Sequence, residues 1–267
     1  MPEIQTVAGA LAIDLDGTLL VGESLSRRNR DAVKAASEAG YHVIIATARW
    51  RQLAQRITAE IGLTGAPIIA CSGAQVYCTK TFEDIFDERL PAEFVSELYK
   101  VCNENRCIAS ATVDAHTWLK IDQKPADGFL TEELKWIDAL PLDGALPRIA
   151  TVQGNETIAK VKALHGQWAD QVNLFDSIGP TGRIVITITA KAADKGTALS
   201  RACDHLSIQT HQVIAFGDAD NDIEMFKCAG RSVAMGQADA LVKRAATDVT
   251  TANTKDGVAD FIERELL

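Results

Sequence analysis

The chain has 267 residues, 47% of them apolar and 24% charged, with a formal net charge of −9. That length allows one large domain or two modest ones around a buried core, and the composition excludes disorder and fibrous repeats. The acid excess, with no Lys/Arg run to offset it, argues against nucleic acid and anionic lipid as partners, and it means that any phosphate site needs a local cation such as a bound metal.

The six cysteines, at 71, 78, 102, 107, 203 and 228, form no Cys-x-x-Cys pair and no grouping with His at metal spacing. Reduced thiols and a cytoplasmic location follow, and no targeting segment or apolar run of about 20 residues points elsewhere.

The first apolar run, Val7 to Leu15, is short and continuous, as in a strand covered on both faces of a parallel sheet, and it ends in acids. Ser26 then reads as the N-cap of a helix with Ala32, Val33 and Ala36 on one face, stopped by Gly40. A second continuous strand, Tyr41 to Ala46, ends at Thr47 and leads to a helix from about Arg51 with Leu53, Ile57 and Ile61 in phase. Pro67 to Cys71 repeats the strand pattern. Strands alternating with helices, each strand ending in a polar residue, predict an α/β fold: a Rossmann-like doubly wound parallel sheet with its ligand site at the carboxyl ends.

From about Leu90 the rhythm changes. A helix (Phe94, Val95, Leu98, Cys102) precedes a hairpin of Cys107–Thr112 and Trp118–Ile121 around a turn at 113–117, whose Asp114 and His116 read as turn residues. A short helix near Thr131, a strand at Arg148–Val152, a helix at Glu156–Trp168, and strands Val172–Ile178 and Arg183–Thr189 flanking a turn at Gly179–Gly182 complete the segment. This α-β-β-α-β-α-β-β run predicts an inserted α/β cap domain at 85–188, with the core at 1–84 and 189–267. Helix Asp194–Leu206, strand Gln212–Phe216, helix Asn221–Cys228, strand Ser232–Met235 and a further helix and short strand then finish the sheet.

Asp14-Leu15-Asp16-Gly17-Thr18 lies where the first strand ends, so the extended backbone puts both carboxylates on one side. An Asp of ordinary pKa, about 3.9, is an ionised oxygen nucleophile at neutral pH, and the second acid is placed to handle protons. A second acidic group, Gly217-Asp218-Ala219-Asp220-Asn221-Asp222, also follows an apolar strand. Its hard oxygen ligands suit magnesium; a calcium loop is ruled out because the sixth position is Ile223 and the twelfth Ala229. Thr47 offers a hydroxyl and a backbone amide to a phosphoryl oxygen. Lys195 and Lys191 compete to pair with Asp14, and Arg49 is placed to reach an anion.

Together Asp14-x-Asp16-Gly-Thr-Leu-Leu, Thr47-Ala-Arg, Lys195-Gly and Gly-Asp218-x-x-Asn221-Asp222 resemble the four motifs of the haloacid dehalogenase superfamily. The insertion resembles the type IIB cap of the Cof-type phosphatases, and Val233-Ala-Met-Gly and Asp256-Gly-Val resemble that subfamily's C-terminal section. The resemblance implies Asp14 as nucleophile, Asp16 as general acid and base, and Asn221 as an orienting residue. It implies Gly17, Thr47, Ala48, Arg49, Ser72, Gly73 and Lys195 around the substrate, and Mg2+ held by Asp14, the Asp16 carbonyl, Asp218 and Asp222. The partner would be a small phosphomonoester, such as a hexose or pentose phosphate, pyridoxal phosphate or a flavin-precursor phosphate, and the enzyme a monomer or homodimer. Two positions depart from the subfamily: Ser72 stands where Asn is usual, leaving that loop without an amide, and Gln237 replaces Asn in Met-Gly-Asn-Ala. A phosphomutase and a phospho-aspartate signalling receiver are the alternatives, separated from a phosphatase by whether phosphate is released with turnover.

Overall fold

The structure, a computed structural model, describes residues 9–65, 67–126, 128–141, 144–178 and 182–267. They fall into two compact units, the first formed by the described residues of Met1–Phe86 with Asp194–Leu267 and the second by those of Asp87–Ala193. Among the described residues no helix is long and apolar enough to cross a membrane.

The first unit opens with strand β1 (Gly9–Asp14), a two-residue hairpin of β2 (Leu20–Val21) and β3 (Ser24–Leu25), helix α1 (Arg27–Glu38), β4 (Tyr41–Ala46), α2 (Arg51–Ile61), β5 (Pro67–Ala70), β6 (Gln75–Cys78) and β7 (Asp84–Asp87). Every residue of β1 is buried, as a central parallel strand requires; Val7 and Ala8, expected to begin it, lie outside the described residues. Ser26 caps α1, its Oγ accepting from the Asn29 amide at 3.0 Å.

In the second unit α3 (Ala92–Asn103), β8 (Ile108–Val113), β9 (His116–Lys120), β10 (Leu134–Ile137), β11 (Ile149–Gln153), α4 (Asn155–Trp168), β12 (Val172–Ile178) and β13 (Ile184–Ala190) follow one another. The chain then returns to the first unit through α5 (Lys195–Leu206), β14 (Val213–Gly217), α6 (Ile223–Cys228), β15 (Arg231–Ala234), α7 (Ala240–Ala245), β16 (Asp248–Val249) and α8 (Gly257–Glu265).

The first unit's sheet has the order β16-β15-β14-β1-β4-β5-β6-β7. From β1 the chain winds outward through β4 and β5, then returns to pair β14 with the other side of β1, so the winding reverses between β1 and β14. Crevices outside the carboxyl ends at such a reversal are where ligands bind in this architecture. The register aligns those ends: Ile13 lies opposite Phe216, and Asp14 opposite Ala46. One face packs Ala10, Ala12, Ile44 and Ala215 against Ala198, Leu199, Met225 and Phe226 of α5 and α6. On the other, the Phe216 ring meets Phe261 of α8 edge-on at 5.3 Å.

The second unit's sheet, ordered β10-β9-β8-β11-β13-β12, turns Ala109, Ala111, Ala150, Val152, Ile186 and Ile188 toward α3 and α4. Here one expectation fails. No helix forms near Thr131; Leu134–Ile137 is strand β10, paired parallel to β9. The Thr131 hydroxyl accepts from the amides of Glu133 (3.2 Å) and Leu134 (3.0 Å), as an N-cap would, but the open edge of β9 takes the following residues as a strand. The turn expected at Gly179–Gly182 lies, for residues 179–181, outside the described residues. In the first unit, β6 adds antiparallel to β5, and Asn221 belongs to a 3-10 turn preceding α6 rather than to the helix itself.

Candidate active site

Chain continuity alone carries Asp14, Thr47 and Asp218 to the same edge, because each ends or immediately follows a parallel strand whose register places it there. Asp14 is nearly fully buried and accepts a hydrogen bond from Lys195 Nζ at 2.7 Å. Lys195 is the first residue of α5, whose N-cap Asp194 accepts from the amides of Gly196 and Thr197, both at 2.8 Å. The same ammonium donates to Asp222 Oδ1 at 2.6 Å, and the Lys195 side chain is 0% exposed. Lys195 therefore pairs with Asp14, while Lys191 is an exposed residue of the second unit.

Asp222 also organises its own loop, its Oδ2 accepting from the amides of Asp218 (3.0 Å) and Ala219 (3.1 Å). Asp218 is oriented by the Thr18 hydroxyl, which donates to its Oδ1 at 3.1 Å. Asp14, Asp218 and Asp222 each place a carboxylate oxygen within 4.8 Å of the others. Gly17, at φ +82°, makes this approach possible: a Cβ there would stand 2.2 Å from Asp218 Oδ2.

The electrostatics show a deficit. Three carboxylates face one ammonium, leaving −2 if all are ionised. Burial pushes the Asp14 carboxyl well above the ordinary carboxylate range, opposed by Lys195 and reinforced by Asp222 and Asp218. Burial likewise pushes Asp218 up to about 6, with Asp222 adding to the rise. The Lys195 ammonium is held above its usual value because its two carboxylate partners outweigh its burial. The ordinary pKa assumed from the sequence thus does not describe Asp14; its ionisation depends on the cations around it. Hard oxygen donors, a residual charge of −2 and the space left by Gly17 fit a small divalent cation.

Asp16 is half exposed, and its carboxylate is gripped by Arg49, whose Nε and Nη2 donate at 2.8 and 2.5 Å. Arg49 also donates to Glu23, at 2.7 and 3.1 Å, from the loop between β2 and β3. Arg49 was expected to meet an anion; here it is shared by two carboxylates, which hold it above its usual pKa despite partial burial. Thr47 is fully buried, but its amide donates to the Ile69 carbonyl at 2.9 Å, so of the two groups expected to serve a phosphoryl oxygen only the hydroxyl is left to donate. That hydroxyl accepts from the Arg49 amide at 3.1 Å across Ala48. Ser72 lies beside Thr47, donating its amide to the Thr47 carbonyl at 3.0 Å, and its hydroxyl is buried with no hydrogen-bond partner among the described residues. Gly73 cannot carry a side chain: at φ +101°, a Cβ would fall 2.2 Å from the Asp194 carbonyl oxygen. Asn221 sits half-buried in the turn before α6.

Three contributors were not singled out from the sequence. Thr18 stands within the first motif, where the sequence alone assigns it no partner. Glu23 carries no local pattern, and Gln237 showed only as a departure from the subfamily's Asn. Its side chain donates to the Gly17 carbonyl and reaches Asp218.

The model of the haloacid dehalogenase-like hydrolases matches residues 11–262. A 5-amino-6-(5-phospho-D-ribitylamino)uracil phosphatase of Bacillus subtilis is 29% identical over 96% of this chain and 97% of its own. A pyridoxal phosphate phosphatase of Escherichia coli is 28% identical, covering 96% and 98% of the two chains. A crystal structure of a haloacid dehalogenase-like hydrolase from Bacteroides thetaiotaomicron superposes with a TM-score of 0.82 at 27% identity, over 96% of this chain and 98% of that one. The chain belongs to the haloacid dehalogenase-like hydrolases, as a Cof-type member, and is a phosphoric monoester hydrolase.

Proposed function

We propose that this enzyme is a magnesium-dependent phosphatase that hydrolyses a small phosphorylated metabolite through an aspartyl-phosphate on Asp14. The observation that carries the reading is the Lys195–Asp14 contact of 2.7 Å inside a cluster of three carboxylates, an arrangement that supplies one activated oxygen and lacks positive charge. The two relatives' names, one for a ribityl phosphate and one for pyridoxal phosphate, support a small phosphomonoester as substrate. Free thiols, five of six buried, fit a reducing compartment and a cytoplasmic enzyme.

Asp14 Oδ1 is occupied by Lys195, so Oδ2 is the oxygen that attacks phosphorus; the new O–P bond forms as the bond to the leaving oxygen breaks. Asp16 gives that oxygen its proton, then takes one from the water that attacks the phosphoryl group and returns Asp14 to a carboxylate. Arg49 holds Asp16 as the carboxylate, the form that takes a proton from the attacking water, and gives up one of its two oxygens when Asp16 carries the proton for the leaving group. Lys195 and the Thr47 hydroxyl donate toward the phosphoryl oxygens. Asp14, the Asp16 carbonyl, Asp218 and Asp222 would hold magnesium, which when bound offsets the negative charge on the phosphoryl group and the attacking carboxylate.

The test is phosphate release from a panel of phosphorylated metabolites with magnesium and with a chelator. Repeated turnover to free phosphate that the chelator abolishes is the expected outcome. A single labelling event without turnover, transfer of the phosphoryl group within the sugar, or activity indifferent to the chelator overturns the reading.

A further inference from the structure

The turn after β15 carries Gln237, an exposed residue whose side chain is nevertheless committed at both ends. Its Oε1 accepts from the Asn253 backbone amide at 3.0 Å. Because a backbone N–H only donates, that contact identifies the oxygen of the amide and leaves Nε2 as the donor at the other end. Nε2 donates to the Gly17 carbonyl at 2.5 Å and reaches Asp218 Oδ2 at 3.5 Å, so each of its two hydrogens has an acceptor.

The base of this strut is itself pinned. The Met235 amide donates to the Gly217 carbonyl at 3.0 Å, the Gly236 amide to the Thr251 carbonyl at 3.1 Å, and Lys243 Nζ to the Gly236 carbonyl at 2.6 Å. A side chain at Gly236 would meet backbone atoms of 250–252 within 2.9 Å, so the turn is seated directly on the C-terminal segment. From that segment Asn253 Nδ2 donates to the Leu20 carbonyl at 2.9 Å, a second tie to the stretch that follows Asp16.

We propose that Gln237 is a positioning residue for the cation site: its amide holds the turn after Asp16 and the Asp218 carboxylate in the relative placement that binds a divalent ion. Asp218 is thereby oriented from two sides, by Thr18 on Oδ1 and Gln237 on Oδ2, and the Asp16–Gly17 backbone is clamped to it. Outer partners of this kind orient ligands without touching the ion, and their loss costs about 10–100-fold in metal affinity or activity. The inference rests on the magnesium-phosphatase reading above.

The experiment compares the full-length wild type with Gln237→Met, which keeps the length of the side chain and removes both the donor and the acceptor. Magnesium is titrated calorimetrically into each metal-free protein, and kcat and KM are measured at saturating magnesium. Gln237→Met is expected to bind magnesium about tenfold more weakly, and to need that much more for half-maximal activity. KM for the phosphoester should stay within about threefold of wild type, and the metal-free melting temperature within a few degrees, since the side chain is exposed. A variant that binds magnesium as tightly as the wild type overturns the inference and leaves the phosphatase reading intact. A wild type that takes up no magnesium overturns both.

Discussion

Two clusters of ions, one in each unit, are balanced differently. In the second unit Arg148, only 4% exposed, donates to Asp87 Oδ1 at 2.5 Å and to the Asp114 carbonyl, while Arg89 bridges the carboxylates of Asp87 and Asp114 at 3.0 and 2.7 Å. Two cations meet two acids. In the first unit one ammonium pairs with two of three acids, and burial, reinforced by the neighbouring carboxylates, pushes the Asp14 and Asp218 carboxyls upward. Both clusters are built on a buried cation, Arg148 in one and Lys195 in the other, but only the balanced one is explained by folding. A buried charge left uncompensated is costly, so its retention marks chemistry, whereas the balanced network is a brace.

Removing the central acid should produce the largest separation. Asp14→Asn is expected to lower turnover by more than about a thousandfold, with the fold retained as read by circular dichroism and the melting temperature. Comparable activity in the variant would refute its role as nucleophile. Lys195→Met removes the ammonium paired with Asp14 and Asp222, and should cut turnover by about a hundredfold while destabilising the metal-free protein by roughly 3 kcal/mol. Magnesium should restore part of that stability, and a variant indifferent to magnesium would argue against a shared cation site.

In the brace, Arg148→Met should cost roughly 2 kcal/mol of stability, measured by urea unfolding, with kcat changed less than about threefold. A collapse of activity without loss of stability would remove the distinction between the clusters.

The pH dependence sharpens it further. Burial raises Asp87, but the hydrogen bonds from Arg148 and then Arg89 win and hold its carboxyl below the ordinary value. Its contribution is therefore present above the unfolded value of about 4 and is lost as pH falls through the lowered folded one. Asp218 is shifted the other way. The folded state then binds its proton more tightly than the unfolded chain does, so metal-free protein should lose stability as pH rises from about 4 to about 6. Melting temperatures across pH 3–7, with and without magnesium, check both signs, and a rise with pH in that interval that Asp218→Asn leaves unchanged would count against the assignment. The smallest effect lies outside both clusters: Ser26→Ala should cost about 1 kcal/mol through the lost cap of α1.

The first unit was the more legible of the two. Its strands are short, continuous apolar runs, and Tyr41–Ala46 is read from the sequence with the limits the structure shows. The second unit was harder because its outer strand β10 is short and half-buried. All of β10 is partly exposed, and the Thr131 turn bears the same hydroxyl-to-amide bonds as a helix start. An edge strand of this kind is selected by the vacant hydrogen-bonding groups of its neighbour, which have no imprint in its own residues.

The sequence by itself determined that Asp14, Thr47 and Asp218 share one edge of a sheet, because each closes or directly follows an apolar strand and parallel strands end together. Only the tertiary structure decided that Lys195 rather than Lys191 meets Asp14, that the Thr47 amide is spent on Ile69, that Arg49 is divided between Asp16 and Glu23, and that Gln237 reaches Gly17 across 220 positions of chain. Those contacts depend on strand order and loop course. Local periodicity specifies which face a residue takes, but the partner waiting on that face is supplied by a distant segment.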